Sequence, residues 1–214
     1  MRNKIPGLLG SAATVTSLLA SLLFWPVAGL AQTLGGITQP IAGVTNTLLG
    51  ATAVLGGTGT LPAGSSDVLQ ASDISGGIAS LLSGEALHAV SIGYPDQIDS
   101  EASLAALSMT IGGNSIGADF VMARAQAASG TVTGISNLEN LSINGVPVSV
   151  TGAPNQTLSI PGGTVVLNEQ KRLSDGTMVV NALHAIVTGV ADVAVASAMA
   201  GYSGGSAKAV QASY

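Results

Sequence analysis

The two histidines of the chain, His88 and His184, are the residues whose type and surroundings could support chemistry. Each is the third residue of an Ala-Leu-His-Ala sequence. Imidazole is a common metal ligand, so two histidines on neighbouring strands would form half of a metal site, which Glu85 or Glu169 would complete. The alternative is that two short apolar strands are copies of one packing motif, with each histidine hydrogen-bonded across a strand pair. We adopt the second interpretation and predict no metal site.

A second polar feature, Asn168-Glu169-Gln170, interrupts an apolar run. Glu169 as a general base would need an acid or a nucleophile nearby, and no Ser-His-Asp order is visible. Because side chains alternate along a strand, Asn168 and Gln170 should point one way and Glu169 the other. We expect the two amides to bind loop backbone and Glu169 to pair with Arg172 or Arg124. With no calcium loop and no phosphate loop either, we assign no catalytic, cofactor-binding or metal-binding residue.

Composition excludes several classes of protein. Cysteine is absent, so the chain has neither disulfides nor thiolate metal sites, and only 8% of the residues are charged, against about a quarter in ordinary domains. The net charge of −5 is opposite to the basic footprint of a nucleic-acid-binding protein. Stacking platforms for bases or sugars are few. Beyond residue 31 the aromatic residues are Tyr94, Phe120, Tyr202 and Tyr214.

The N-terminal residues 1–31 have the pattern of a secretory signal peptide. Arg2 and Lys4 precede an apolar stretch, Pro26 interrupts it, and small residues lead up to Ala31, after which we predict cleavage. A retained membrane anchor is the alternative, but serines and threonines within the stretch weaken a spanning helix. Cleavage would remove two of the six cations and none of the eleven acids, leaving a net charge of −7. We therefore expect a secreted or cell-surface protein with no membrane span in its mature form.

Residues 32–83 are predicted to form an apolar, Gly-, Thr- and Ser-rich N-terminal extension. The first part, 32–61, carries no charge. It would either lie on the core of its own domain or act as a donor strand that fills a groove on a neighbouring subunit. The turn-like residues 62–66 suggest a boundary, and Asp67 could cap a short helix that Gly76-Gly77 ends.

The best-defined β pattern is at residues 155–199. Three β-branched runs, 164–173, 177–187 and 192–199, are separated by turn residues, and the Asp-Gly between the first two is a strong hairpin signal. This pattern predicts a three-stranded antiparallel meander.

The remaining strand region, 84–201, is predicted to contain eight or nine short strands with a turn every 8–14 residues. That spacing is typical of an all-β antiparallel β-sandwich or jelly roll. Asn144-Gly145 marks another hairpin, and Pro147 places the second strand of that hairpin at a sheet edge or beside a bulge. Ile116, Ala118, Phe120 and Met122 are expected to share one face, and residues 202–214 to form a flexible tail. The predicted core contains Phe120, Val165, Leu167, Val179, Leu183, Val193 and Val195.

Several stretches of this region resemble the bacterial choice-of-anchor P family, and together they span about residues 84–201. The stretches are SEASLAALSMTIGG at 100–113, IGADFVMARAQA at 116–127, ISNLENLSINGVPVSVTGAPNQTLSIPGG at 135–163, NEQ at 168–170, NALHAI at 181–186 and DVAVASAMAG at 192–201. The resemblance implies an exported or surface protein without enzymatic activity. This chain shows no anchor segment, so we expect a secreted or self-assembling form.

The sequence thus predicts a non-enzymatic, exported structural protein of the cell envelope or extracellular matrix. Its expected partners are further copies of itself, as an oligomer or fibre formed through sheet edges, and components of the envelope or matrix. The alternative is an adhesin-like β-sandwich that binds an extracellular ligand through loops at one end. No cofactor and no nucleic-acid partner are expected.

Overall fold

Fourteen β-strands and no helix make up the part of the chain that the computed structural model describes. That part comprises residues 46–48, 51–53, 57–62, 64–78, 80–128, 130–203 and 206–213. The predicted signal peptide, 1–31, lies outside it. None of the described residues belongs to a helix that is long and apolar enough to cross a membrane.

The strands follow one another along the chain with short connections. They are β1 (Asn46–Leu48), β2 (Ala51–Ala53), β3 (Val68–Ile78), β4 (Leu82–Gly93), β5 (Gln97–Ile111), β6 (Asn114–Ala128), β7 (Thr131–Glu139), β8 (Ser142–Ile143), β9 (Val146–Pro147), β10 (Gln156–Ile160), β11 (Gly163–Arg172), β12 (Met178–Val187), β13 (Ala191–Ser203) and β14 (Ser206–Ser213).

The strands form two seven-stranded sheets, and every strand pair is antiparallel. The sheet that we call the N-terminal sheet has the order β3-β4-β5-β6-β8-β9, with β7 also pairing with β6. The C-terminal sheet has the order β10-β11-β12-β13-β1-β2, with β14 also pairing with β13. The two sheets pack face to face, because β13 contacts β5 and β6 and β12 contacts β6 and β7. The predicted all-β antiparallel sandwich is confirmed.

The predicted hairpins form where glycine or asparagine accepts a positive φ. Asn144 and Gly145, at φ 52° and 75°, connect β8 to β9, and this pair of positive values is the type I′ turn that matches the twist of a hairpin. Gly176, at φ 83°, closes the turn between β11 and β12. Strands β11, β12 and β13 form the predicted meander, and the strand that contains Pro147 lies at the end of its sheet, as predicted.

Most of the predicted core residues are buried between the sheets. Those that are fully buried are Val165, Leu167, Leu183, Val193 and Val195. The prediction is wrong for Phe120 and Val179, which are only partly buried. It also fails for the face that Phe120 was expected to share with Ile116, because burial passes from even-numbered to odd-numbered residues of β6 at this point.

The shift in β6 lies beside Ala106 of β5, because Ala118 and Phe120 pair with Leu107 and Ala105. Shifts of this kind occur at, or directly opposite, strand residues other than glycine that adopt a positive φ. Ala86 and Ala106 do so in the N-terminal sheet, and Asn168 and Ala196 in the C-terminal sheet, with φ between 47° and 53°. In β5, the buried apolar positions are even-numbered up to Leu104 and odd-numbered from Leu107 onwards. Such a residue locally bends the strand and moves the following side chains to the other face. Simple alternation therefore fails beyond each of these positions.

The structure also corrects the predicted boundaries. Strand β3 lies before the predicted start of the domain at residue 84, and the short helix expected after Asp67 is wrong. The Asp67 carboxylate instead accepts a hydrogen bond from the Val68 amide at 2.8 Å. At the other end, β14 pairs with β13 over residues 206–213, so this segment is a strand and not a loose tail. Over residues 84–201, where eight or nine strands were expected, the structure has ten, β4 to β13.

The apolar extension contributes to its own domain at the positions that the structure describes. Leu61 is buried within the core, and the Thr58 hydroxyl lies 3.1 Å from the hydroxyl of Ser91 on β4. Asn46 of β1 pairs with Val193 of β13 in the same chain. At these residues the extension packs on its own sheets, which is the first of the two alternatives that the sequence left open. Residues 32–45, 49–50 and 54–56 lie outside the described part.

Candidate functional site

The two histidines lie on different sheets. His88 is on β4 of the N-terminal sheet, opposite Ser72 and Ser103, whereas His184 is on β12 of the C-terminal sheet, opposite Val166 and Ala194. The neighbouring strands that a shared metal site would require are therefore not present. Within the described residues, no group of three or more His, Asp or Glu side chains is arranged to hold a metal ion.

The leucine and the histidine of the repeated Ala-Leu-His-Ala sequence have the same orientation in both sheets. Leu87 and Leu183 are buried between the sheets, whereas His88 and His184 are on the opposite, partly exposed side of their strands. The first alanine differs, because Ala86 is exposed and Ala182 is fully buried.

His184 differs from His88 in lying between two carboxylates. Its Nε2 atom is 2.6 Å from Oδ1 of Asp192 on β13, and its Nδ1 atom is 2.9 Å from Oε2 of Glu169 on β11. The contact with Asp192 has hydrogen-bond geometry, whereas the contact with Glu169 is close without being in line with the ring N–H. The imidazole thereby connects a strand on each side of β12.

Two further polar side chains extend this group across the sheet. The Asn181 amide donates to Oε2 of Glu169 at 2.5 Å, and the Ser197 hydroxyl donates to Oδ1 of Asn181 at 2.5 Å. We call the connected side chains of Ser197, Asn181, Glu169, His184 and Asp192 the His184 network. It contains residues from all three strands of the meander.

The bend at Asn168 brings the His184 network onto one face. Val166 pairs with His184, and Glu169, three residues further along β11, pairs with Asn181. Strict alternation would place residues three apart on opposite faces, but the positive φ of Asn168 shifts the phase by one. Asparagine tolerates this conformation better than most residues do, because its short amide can hydrogen-bond locally. Here the Asn168 amide donates to the backbone carbonyl of Gly152 at 2.9 Å.

The electrostatics of the network favour its charged form. Burial by itself would lower the pKa of His184, but the close contacts with the negatively charged carboxylates of Glu169 and Asp192 outweigh it, so the pKa of His184 lies above its ordinary value of 6.5. The contact with His184 lowers the pKa of Glu169 below its ordinary 4.5, against the opposing effect of burial and with help from Asn181 and the charge of Lys171. Both shifts favour an imidazolium held between carboxylates.

The hydrogen-bond partners of the network indicate a structural role. The Ser197 hydroxyl donates to Asn181 and is not directed at the imidazole, so no Ser-His pair for nucleophilic attack is formed. Both ring nitrogens of His184 are engaged by carboxylates. The arrangement joins three strands by charge-assisted contacts.

The sequence predicted the partner of Asn168 correctly, that of Gln170 only in part, because its backbone partner lies in a strand and not in a loop, and that of Glu169 incorrectly. Asn168 binds the backbone of the loop before β10, and the Gln170 amide donates at 2.8 Å to the carbonyl of Gly134 on β7, in the opposite sheet. Glu169 pairs with His184 and not with Arg172 or Arg124. Val166 pairs with His184, and Glu169 is three residues further along the strand. Simple alternation would place Glu169 on the opposite face from Val166, so the sequence pattern did not predict the Glu169–His184 pair.

A second polar cluster, which the sequence reading missed, is centred on Asp99 of the N-terminal sheet. Arg124 Nη2 and Gln126 Nε2 both donate to its Oδ1 at 2.9 Å, and Gln97 Nε2 donates to its Oδ2 at 2.8 Å. Asp99 pairs directly with Gln126 in the β5–β6 register, so knowledge of that register would have revealed the cluster.

An open groove of about 680 Å³ lies at one end of the N-terminal sheet. Small and hydroxylated residues of β3, β4 and β5 form much of its lining. Glu85 is its one charged residue, and Ala106, at its positive φ, also contributes. Ile78, Leu81 and Leu82 add apolar surface, and no aromatic side chain lines the groove.

Strand β3 presents an open sheet edge. Among the described strands it pairs only with β4, and it extends over 11 residues. Ile74 is 92% exposed and Val68 is 55% exposed, while Asp73 is the strand's one charged residue. Long edge strands with apolar side chains and little charge readily pair with another chain.

Comparisons with known proteins return no match: none is found among protein-family models, among curated proteins or among solved structures.

Proposed function

We propose that this chain is a non-enzymatic structural protein, exported to the cell envelope or extracellular matrix, that associates with further copies of itself through sheet edges. The observation that carries the proposal is the exposed β3 edge with its outward Ile74. Natural sheets usually protect such an edge with lysines, proline, a short length or a covering segment. β3 has neither lysine nor proline, and its 11 residues are not a short edge.

The composition and the polar network support a structural role. Only 8% of the residues are charged and small residues are abundant, which favours dense packing of sheets. The net negative charge limits uncontrolled aggregation. The His184 network joins strands and presents no nucleophile at its imidazole. The stretches that resemble the choice-of-anchor P family add the expectation of a surface or secreted location.

The proposal is tested by the assembly state of the purified protein. Light scattering after size exclusion, over a hundredfold range of concentration, should show oligomers whose fraction grows with concentration, and negative-stain microscopy should show discrete assemblies or fibres. A protein that stays monomeric at the highest concentration would exclude the assembly function.

A second candidate function, ligand binding, is favoured by the open groove beside β3. Its hydroxyl groups, exposed backbone and Glu85 suit an extended polar ligand. Panels of glycans and of peptides should then contain a binder that Ser108→Tyr, which fills the groove, no longer retains. The control Thr133→Tyr, on exposed β7, should bind normally. Equal binding by both variants would exclude the groove as the site.

A further inference from the structure

The burial pattern of β3 has a two-fold symmetry that its sequence does not. Within residues 69–78, the partly buried positions are Leu69, Ala71, Gly76 and Ile78, and the rest are exposed. Reading β3 in the opposite direction about the peptide bond between Asp73 and Ile74 exchanges Leu69 with Ile78 and Ala71 with Gly76, so the pattern of partly buried positions stays the same. The partly buried positions of β3 are odd-numbered before Asp73 and even-numbered after Ile74. This change lies beside Ala86 of β4, which has a positive φ, and it produces the symmetry.

This symmetry determines how a second β3 could continue the sheet. Residues that face each other across an antiparallel pair point to the same side of the sheet, so core-facing positions must oppose core-facing positions. A two-fold axis between Asp73 and Ile74 meets this condition, because it places Leu69 opposite Ile78 and Ala71 opposite Gly76. Any shift of the pairing by one residue would place core-facing positions opposite exposed ones.

The same register is electrostatically acceptable. The one charged residue of β3, Asp73, opposes Ile74 of the second copy and not its Asp73. The pairing therefore avoids the like-charge contact that a two-fold axis through Asp73 would create. It also covers the most exposed apolar side chain of the described residues, Ile74.

We propose that β3 pairs antiparallel with β3 of a second copy, about a two-fold axis between Asp73 and Ile74, so that two N-terminal sheets become one continuous sheet. This inference rests on the proposed assembly function and specifies its contact. A partner of another kind would need no reversal symmetry in β3, whereas a second copy does, because both partners present the same strand in opposite directions.

Cysteine cross-linking tests the register, since the chain has no cysteine of its own. The proposed axis places Ser72 opposite Ser75 of the second copy. A mixture of Ser72→Cys and Ser75→Cys proteins under a mild oxidant should give a disulfide-linked dimer, because facing strand residues lie within the roughly 4.4–6.8 Å Cα separation of a disulfide.

Each variant alone should cross-link little, since identical positions are then three residues, or about 10 Å, apart along the strands. A mixture of Ser72→Cys with Thr133→Cys, on exposed β7, controls for random collision. Cross-linking in the single variants that equals that in the mixture would overturn the register.

Charge at position 74 provides an independent test. Ile74→Asp would place two like-charge contacts with Asp73 in the dimer and should raise its dissociation constant by roughly an order of magnitude. Ile74→Lys should associate at least as strongly as the wild type, because each lysine faces an aspartate. Ile135→Asp, at a 54% exposed position on β7, is the matched control and should have no effect.

The outcomes separate this inference from the proposed function. If oligomers form but the mixture of Ser72→Cys and Ser75→Cys gives no disulfide-linked dimer, the β3 contact is overturned and the assembly function stands. The same holds if Ile74→Asp and Ile74→Lys change the dissociation constant equally. A strictly monomeric wild type would overturn both.

Discussion

At the residue scale, the environment of His184 differs from that of His88, although both are the third residue of an Ala-Leu-His-Ala sequence. Both histidines follow the same Ala-Leu pair, but only His184 lies between carboxylates. Its raised pKa means that the contribution to stability is complete below pH 6.5 and is lost as the pH rises through the higher pKa of the folded state. The lowered pKa of Glu169 means that its contribution is present above pH 4.5 and is lost as the pH falls through the lower pKa of the folded state.

We therefore expect His184→Gln to lower the free energy of unfolding most between about pH 4.5 and 6.5 and progressively less on either side. Urea unfolding from pH 3 to 9 measures the difference from the wild type. His88→Gln is the control for replacing a histidine outside the network, since among the described residues His88 forms no ion pair. A pH-independent effect of His184→Gln would contradict the charged network.

Leu183, the neighbour of His184, provides a test of the core. It is fully buried, and its replacement by alanine should lower the free energy of unfolding by about 2–5 kcal/mol through lost burial and the cavity left behind. Val179→Ala, on the same strand but only partly buried, should cost less. Denaturant unfolding of both variants compares them, and equal losses would contradict the assigned faces of β12.

At the element scale, the bends inside the strands control which residues meet. Ala106 interrupts β5 with φ 49°, where a residue other than glycine is strained. Ala106→Val should lower the free energy of unfolding by about 1 kcal/mol or more, although valine favours ordinary strands, because a β-branched side chain tolerates positive φ poorly.

The control for that prediction is Ser108→Val, at an exposed position of the same strand with no positive φ. Its effect on urea unfolding should be near zero or slightly stabilising. If both valines have the same effect, the bend does not control stability at this position.

At the scale of the whole molecule, the export prediction concerns residues outside the described part. The protein isolated from its source should begin at Gln32, because the small residues before Ala31 suit signal-peptide cleavage. Intact-mass spectrometry reads the N-terminus directly. A mature pool that retains Arg2 would contradict export by this route.

The sequence by itself determined the fold class, several hairpins and five of the seven core residues named from it. Asn144-Gly145 and Asp175-Gly176 specify tight turns through local backbone sterics, and β-branched runs such as that around Val193 specify strands, so neighbouring residues carry this information. Only the tertiary structure decided the partners of Glu169, the separation of His88 from His184, and the open β3 edge. These depend on strand order and on the phase shifts at residues such as Asn168, where contacts across the sheets stabilise a backbone conformation that local propensity disfavours.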